Sequence, residues 1–575
     1  MRVPYSIIVY LGCILLGACA RESTPMGGPK DEIPPVFLSS NPADQSLRVK
    51  PEEIVMDFSE FVKVENANKQ LIVTPRIDKQ ELEIVAIKNR VRIKLNQELE
   101  DNTTYVFNFQ QSVKDITENN PAENLKLVFS TGDEIDSLNF SGRARFMFPS
   151  KDKTIKDVLV GLYEIQDTTD IFTASPYYIA QADTAGRFNI TNIKAGTYRA
   201  YAWKDINNSL KAESKTEPYA YFTDPILIDQ HIEDVHFNIF PGDLTYFRVN
   251  RTSPSGTNYD LVLSKPPVQI EIDHPDINTE LFYRVSDRTL RLYHTRLRDD
   301  STQVRLNIMD SVGFRIDTTL YARFEESTRN KEKLDITADS GKGFVNNLTA
   351  VLTFNKPLSE VYFDSLMIRY DTAGVIPITR QYLSLPDSTD FTRLQISMPI
   401  ADTLRAGTYT VYAADSTFRD VEGLYNESRL EANYKKIKAE TLTDEISGIV
   451  NTDELPIIVQ LLNRRGEIVK EVYLTTINRF SLTDIEAGDY QLRAIIDRNS
   501  NRRWDPGNFT DNTLPEPIYY YQNPTNQSRD FMLKAGWSNT ALNINPIRET
   551  GLPLQENIPE IEIEIPDFVI PEENN

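Results

Sequence analysis

The chain has 575 residues, with 84 acidic against 62 basic side chains and a formal charge of −22 at pH 7. That length exceeds a single hydrophobic core and calls for about four or five domains, and so acidic a surface excludes nucleic acid as a partner for the bulk of the chain. Two cysteines and four histidines, the latter without metal-ligand spacing, exclude a disulfide framework and a histidine-rich metal centre. Tyrosine and phenylalanine number 27 each, and apolar–polar alternation recurs along most of the chain. Both features predict an all-β protein of tandem sandwich domains in an elongated chain.

At the N-terminus, Arg2 precedes an apolar run from Ile7 to Leu16. The run is too short to span a bilayer and reads as the core of a signal peptide, residues 1–18. Leu16-Gly17-Ala18-Cys19 resembles the bacterial lipobox. The resemblance implies cleavage before Cys19, acylation of that cysteine, and the lipid bilayer as a partner through the acylated residue. Each buried CH₂ adds about 0.8 kcal/mol, so several chains hold where one binds marginally. Ala20 stands where some lipoproteins carry an inner-membrane retention aspartate, which points to the outer membrane. Residues 19–36 carry Pro25, Gly27, Gly28, Pro29, Pro34 and Pro35 and read as the lipidated cysteine and a linker.

The first domain is expected over 37–132. Ile54, Met56 and Phe58 alternate, as do Val91, Ile93 and Leu95, and then Tyr105, Phe107 and Phe109, with Lys88-Asn89 as a hairpin turn. Pro25-Met26-Gly27-Gly28-Pro29-Lys30-Asp31, Ser39-Ser40-Asn41-Pro42 and Phe129-Ser130-Thr131-Gly132 resemble the SbsA-type Ig-like domain of uncharacterised Bacteroidota lipoproteins. That resemblance implies an Ig-like sandwich on an envelope protein, and no reaction.

From 139 to 240 the pattern changes. Gly186, Phe188, Ile190, Ile193, Gly196 and Tyr198 form a string that resembles transthyretin-like modules of the carboxypeptidase-regulatory or Cna-B type. Gly186 is expected to supply a positive φ at a hairpin. The string returns as Asn478, Phe480, Leu482, Ile485, Gly488 and Tyr490, with Asn478 in the place of Gly186, and Asp205 and Glu217 return as Asp497 and Glu516. The Ig-like pattern repeats more faintly: Val351, Thr353 and Phe354 echo Val55, Asp57 and Phe58. The domains expected beyond 240 are therefore a β-sandwich of unassigned family over 241–331, a second Ig-like domain over 334–438 and a second transthyretin-like sandwich over 446–534. Residues 537–575 read as an acidic, Pro-rich tail, with the Ile–Glu alternation from Glu560 to Pro566 as an alternative edge strand.

Chemistry is sparse. No zincin, nucleophile-elbow or phosphate-loop motif occurs, which argues against an enzyme. Asp497, Asn499, Asn501 and Asp505 have the spacing of a calcium loop, although Arg502 stands where a glycine is expected. The alternative is a turn-rich loop whose side chains cap their own backbone. Asp136-Ser137-Leu138, Asp183-Thr184-Ala185, Asp310-Ser311-Val312, Asp364-Ser365-Leu366, Asp371-Thr372-Ala373 and Asp402-Thr403-Leu404 resemble an O-glycosylation sequon, and equally begin Asx-turns. The function expected is a lipid-anchored envelope protein that scaffolds or binds another envelope protein. The alternative is a glycan-binding accessory that stacks sugars on Trp504 and Tyr519-Tyr520-Tyr521, and an enzyme of unknown type comes third.

Overall fold

The computed structural model describes residues 31–149 and 155–553. The signal segment, Cys19 and most of the linker lie outside the described residues, as does the Glu560–Pro566 alternation. Among the described residues five β-sandwiches follow one another, and helix is confined to single turns.

In the first sandwich, Glu53–Phe58 and Arg90–Leu95 pair antiparallel and bury every second residue. Ile54, Met56, Phe58, Val91 and Ile93 are fully buried, as a period of two demands of a strand with one wet face. Leu82–Ile87 joins this sheet through the two-residue turn at Lys88-Asn89, where Lys88 has φ 57°. Thr104–Asn108, between Ile72–Thr74 and Lys126–Ser130, closes the core from the other side. The fourth sandwich repeats the plan: Asn347–Phe354 pairs with Arg393–Pro399, and Thr408–Ala413 lies between Leu366–Tyr370 and Leu430–Lys436. A small flanking ladder recurs in register, with Leu358 opposite Asp420 as Val62 is opposite Asp115. The third sandwich packs Asn258–Leu263 and Thr289–His294 against the long pair Arg298–Asp310 and Arg315–Phe324.

The second and fifth sandwiches share a different plan. In the second, Leu138–Phe146 pairs antiparallel with Arg187–Ile193 and parallel with Ile232–Ile239. In the fifth, Ile446–Ile449 pairs antiparallel with Arg479–Leu482 and makes parallel bridges to Asn539 and, through Val450, to Ile544. Residues from 537 are therefore not simply a tail. Leu542 and Ile544 are 6% and 0% exposed in the core, where Val235 and Phe237 sit in the second sandwich. A glycine marks the close approach in both copies: a Cβ on Gly142 would meet Val235 O at 2.0 Å, and one on Gly448 would meet Leu542 O at 2.3 Å.

Gly186 has φ 79°, as expected, but Asn478 does not share it. The fifth sandwich enters this strand from the longer Ile468–Leu474, and the Asn478 side chain instead donates to Thr452 O at 3.1 Å. The left-handed residues the copies do share are Asn192 (φ 60°) with Asp484 (φ 59°) and, beyond the aligned aspartates, Asn208 (φ 59°) with Ser500 (φ 60°) and Leu210 (φ 59°) with Arg502 (φ 61°).

The larger sheets of these two copies lie face to face. Their central strands, Val158–Glu164 and Ile457–Asn463, are buried on both sides. Tyr201, Trp203, Tyr219 and Tyr221 of the second sandwich share one apolar cluster with Ile458, Ile495, Ile518 and Tyr520 of the fifth. Beyond it, Gly551 pairs with His236 through two backbone hydrogen bonds, so the C-terminal segment docks on the edge of the second sandwich.

Candidate functional site

The strand Gly488–Ile496 ends at Asp497, and the connection onward to Ile518–Tyr520 carries the expected calcium ligands. Asp497 is fully buried. Its Oδ1 accepts the Asn501 amide at 3.0 Å, and its Oδ2 accepts the Arg502 amide at 2.8 Å and the Tyr473 hydroxyl at 2.9 Å. Asn499, Asn501 and Asp505 do come together, but as donors and acceptor of one another. Asp505 Oδ2 accepts the side-chain amides of Asn499 at 2.6 Å and Asn501 at 2.5 Å, and its other oxygen faces Arg503 at 3.2 Å. The Asn499 and Asn501 oxygens accept the amides of Asn501 and Arg503. A bound cation would need several of these oxygens turned away from donors they already serve. Asp205 does the same work in the second sandwich, accepting the amides of Ser209 and Leu210. Both loops are shaped by a buried aspartate that caps its own chain.

The longer connection in the fifth sandwich has another use. Gly507, at φ 70°, turns the chain so closely that a Cβ there would meet Thr513 O at 2.3 Å. The turn delivers Phe509 into the aromatic face of the second sandwich. Its ring lies 5.1 Å from those of Phe172 and Tyr221, 6.0 Å from Tyr201 and 6.1 Å from Tyr219. Trp504 stands edge-on to Phe148 at 4.6 Å and donates its indole N–H to Glu516 O at 2.9 Å. Tyr221 donates its hydroxyl to Thr513 O at 2.5 Å, and Asn512 donates to Thr223 O at 2.9 Å. The site is thus an interlock between two copies of one fold.

The stacking surface expected from Trp504 and Tyr519-Tyr520-Tyr521 is not presented to solvent. The three tyrosines are 4%, 6% and 7% exposed, packed in the fifth core or in the interlock. Phe509 and Phe172 went unread in the sequence, although the extra length of the second-copy loop was the signal that something had been added there.

Buried charge marks the remaining chemistry. Glu516 is 5% exposed. Burial, with Asp505 and Asp497 nearby, pushes its carboxyl up to about 7, although the Asp505 amide donates to it. In the fourth sandwich Lys356 is fully buried against Asp420 and Glu422. Asp276, Glu280 and His294 bring their ligand atoms within 4.8 Å of one another, a grouping their spacing had hidden. His294 Nδ1 already accepts the Arg296 amide at 3.1 Å. That nitrogen is thereby already spent on the main chain. Of the Asp-Ser/Thr pairs, Asp183 and Asp310 cap the amides two and four residues on, as Asx-turns do. Thr184, Ser311, Thr372 and Thr403 are exposed.

A family model described as a bacterial Ig-like domain matches residues 31–131, and one described as polysaccharide lyase family 4, domain II, matches residues 154–207. No curated protein matches the chain. Among solved structures, the Bacillus anthracis TIE protein aligns at 9% identity over 96% of this chain and 80% of its own, with a TM-score of 0.12. The S-layer protein rSbsC aligns at 9% identity over 87% of this chain and 67% of its own, with a TM-score of 0.15. A biofilm associated protein BSP domain aligns at 9% identity over 84% of this chain and 97% of its own, with a TM-score of 0.14. Likeness at this level carries no functional weight. The first sandwich is Ig-like, and the chain is an all-β assembly of several such units.

Proposed function

We propose that the protein is a lipid-anchored structural component of the cell envelope, held in the outer membrane through Cys19, which scaffolds or binds another envelope protein. The observation that carries this reading is the interlock. The aromatic side chains best suited to grip a ligand are spent on fastening the second sandwich to the fifth. A chain that devotes a broad aromatic surface to holding its own domains in fixed relation is built as a rigid support. The lipobox-like Leu16-Gly17-Ala18-Cys19 supplies the attachment, and the Pro-rich residues after it supply the stand-off. Catalysis forms no part of the proposal.

Replacing Cys19 by alanine tests the anchor. The variant should leave the detergent-extractable membrane fraction, or accumulate as uncleaved precursor. A mature-size variant that still pellets and needs detergent would overturn the lipid anchor. Protease shaving of intact cells then distinguishes a surface partner from a periplasmic one.

A further inference from the structure

We propose that Lys356 and Asp420 of the fourth sandwich become joined by an intramolecular amide bond, with Glu422 carrying the proton. Lys356 and Asp420 are 0% and 1% exposed. Lys356 Nζ lies 2.5 Å from Asp420 Oδ2 and 3.1 Å from Glu422 Oε2. Asp420 Oδ2 accepts no aligned hydrogen bond, so the nitrogen crowds the carboxyl group without the directed contact that would settle a lasting ion pair. The main chain holds both residues in place: Leu358 pairs with Asp420 in the flanking ladder, and the Val421 amide donates to Pro357 O at 3.0 Å. Such fixed proximity of two reacting groups replaces the entropy a free encounter would cost.

The three side chains divide the work of a condensation. Glu422 Oε1 is occupied by Thr257 Oγ1 at 3.1 Å and Asn258 Nδ2 at 3.0 Å, both from the third sandwich. Its Oε2 is left facing Lys356 and takes a proton from the ammonium. The freed amine attacks Asp420 Cγ, forming the N–C bond. Negative charge then collects on Asp420 Oδ1, which already accepts the Glu422 and Leu424 amides at 2.9 Å each, a pair of donors placed as in an oxyanion hole. The C–Oδ2 bond breaks as that oxygen takes up two protons, one returned by Glu422 and one given up by the attacking nitrogen, and leaves as water. An ammonium and a carboxylate become one neutral amide and one water molecule, with no oxidant or activating group required. One ammonium and one carboxylate, both buried, are thereby exchanged for a neutral group.

The chain carries its own contrasts. Register places Glu60 of the first sandwich where Lys356 stands in the fourth, since Val62 faces Asp115 as Leu358 faces Asp420. An acid there offers no nucleophile. In the third sandwich Lys265 is 5% exposed beside the buried Asp310, whose Oδ1 likewise accepts two amides. Lys265 Nζ, however, donates to Asp243 O at 2.9 Å and faces the rings of Phe247 and Phe314. Among the described residues no second carboxylate contacts it, so nothing there plays the part of Glu422.

Peptide mapping of the full chain by mass spectrometry decides the matter. The expected product is a branched peptide joining the segments around Lys356 and Asp420, lighter than their sum by one water. In Glu422→Gln, whose amide cannot take the proton, the two segments should return as separate linear peptides while circular dichroism stays that of the folded chain. Recovery of both segments from the wild-type protein as linear peptides at full mass overturns the proposal. So does a water loss that maps to another pair of residues.

Discussion

Glu516 makes the stability of the interlock depend on pH, with a sign that can be worked out. Its carboxyl is pushed up from an ordinary 4.5 to about 7, first by burial and then by Asp505 and Asp497. The folded chain therefore holds this proton where the unfolded chain has released it. Stability from the neutral group is complete below about pH 4.5 and is lost as pH climbs through about 7. A displacement of that size is worth about 3 kcal/mol once pH exceeds both values. Glutamine imitates the neutral acid, can still accept the Asp505 amide, and has no proton to lose. Glu516→Gln should thus match the wild-type melting temperature near pH 5 and exceed it by several degrees near pH 8. The assay is thermal melting of both proteins across that range, followed by near-ultraviolet circular dichroism of the interlock tyrosines. A wild-type-to-variant difference that stays constant with pH would refute the reasoning, because a merely mechanical effect of the substitution carries no titration.

Three further outcomes are expected. Phe509→Ala removes a ring packed against four aromatic neighbours and should cost about 2–4 kcal/mol. The loss should be visible as early protease cleavage between the second and fifth sandwiches, and unchanged resistance would deny the loop its role as a fastener. Deleting residues from 538 onward removes Leu542 and Ile544 from the fifth core and should lower that sandwich's melting point sharply, whereas a dispensable tail would leave it alone. Calcium and chelator should give superimposable melting curves, because the loop oxygens already serve its own amides. A stabilisation of a few kcal/mol at about a hundred times the dissociation constant would instead place an ion there.

Much of the fold was legible because a half-buried strand writes its wet and dry faces into alternate residues. Ile54, Met56 and Phe58 show this, and the turn at Lys88-Asn89 follows from the two apolar runs it separates. The duplication was legible for the same reason. The last bridge-paired segment of the fifth sandwich was not, since only Leu542 and Ile544 enter the core from a polar stretch. Ser141-Gly142 and Ser447-Gly448 held the clue, because a paired glycine marks where a neighbouring backbone presses close. The face-to-face packing left a trace as well: Val158–Glu164 and Ile457–Asn463 are nearly continuous apolar runs, the sign of a strand covered on both sides. Which surface covers them is a long-range matter that periodicity cannot express. The same holds for Lys356, Asp420 and Glu422, which only the ladder brings together.

The docking of Gly551 on His236 has a mechanical consequence. The third and fourth sandwiches begin after the second and end before the fifth, and those two are clasped to each other. A pull applied between residue 31 and residue 553 therefore runs through the first sandwich and the clasp, and bypasses everything from 241 to 445. That middle stretch lies outside the load path, shielded from tension until the clasp shears. The chain then has hidden length to pay out, a second stage of extension that begins only after the first has failed.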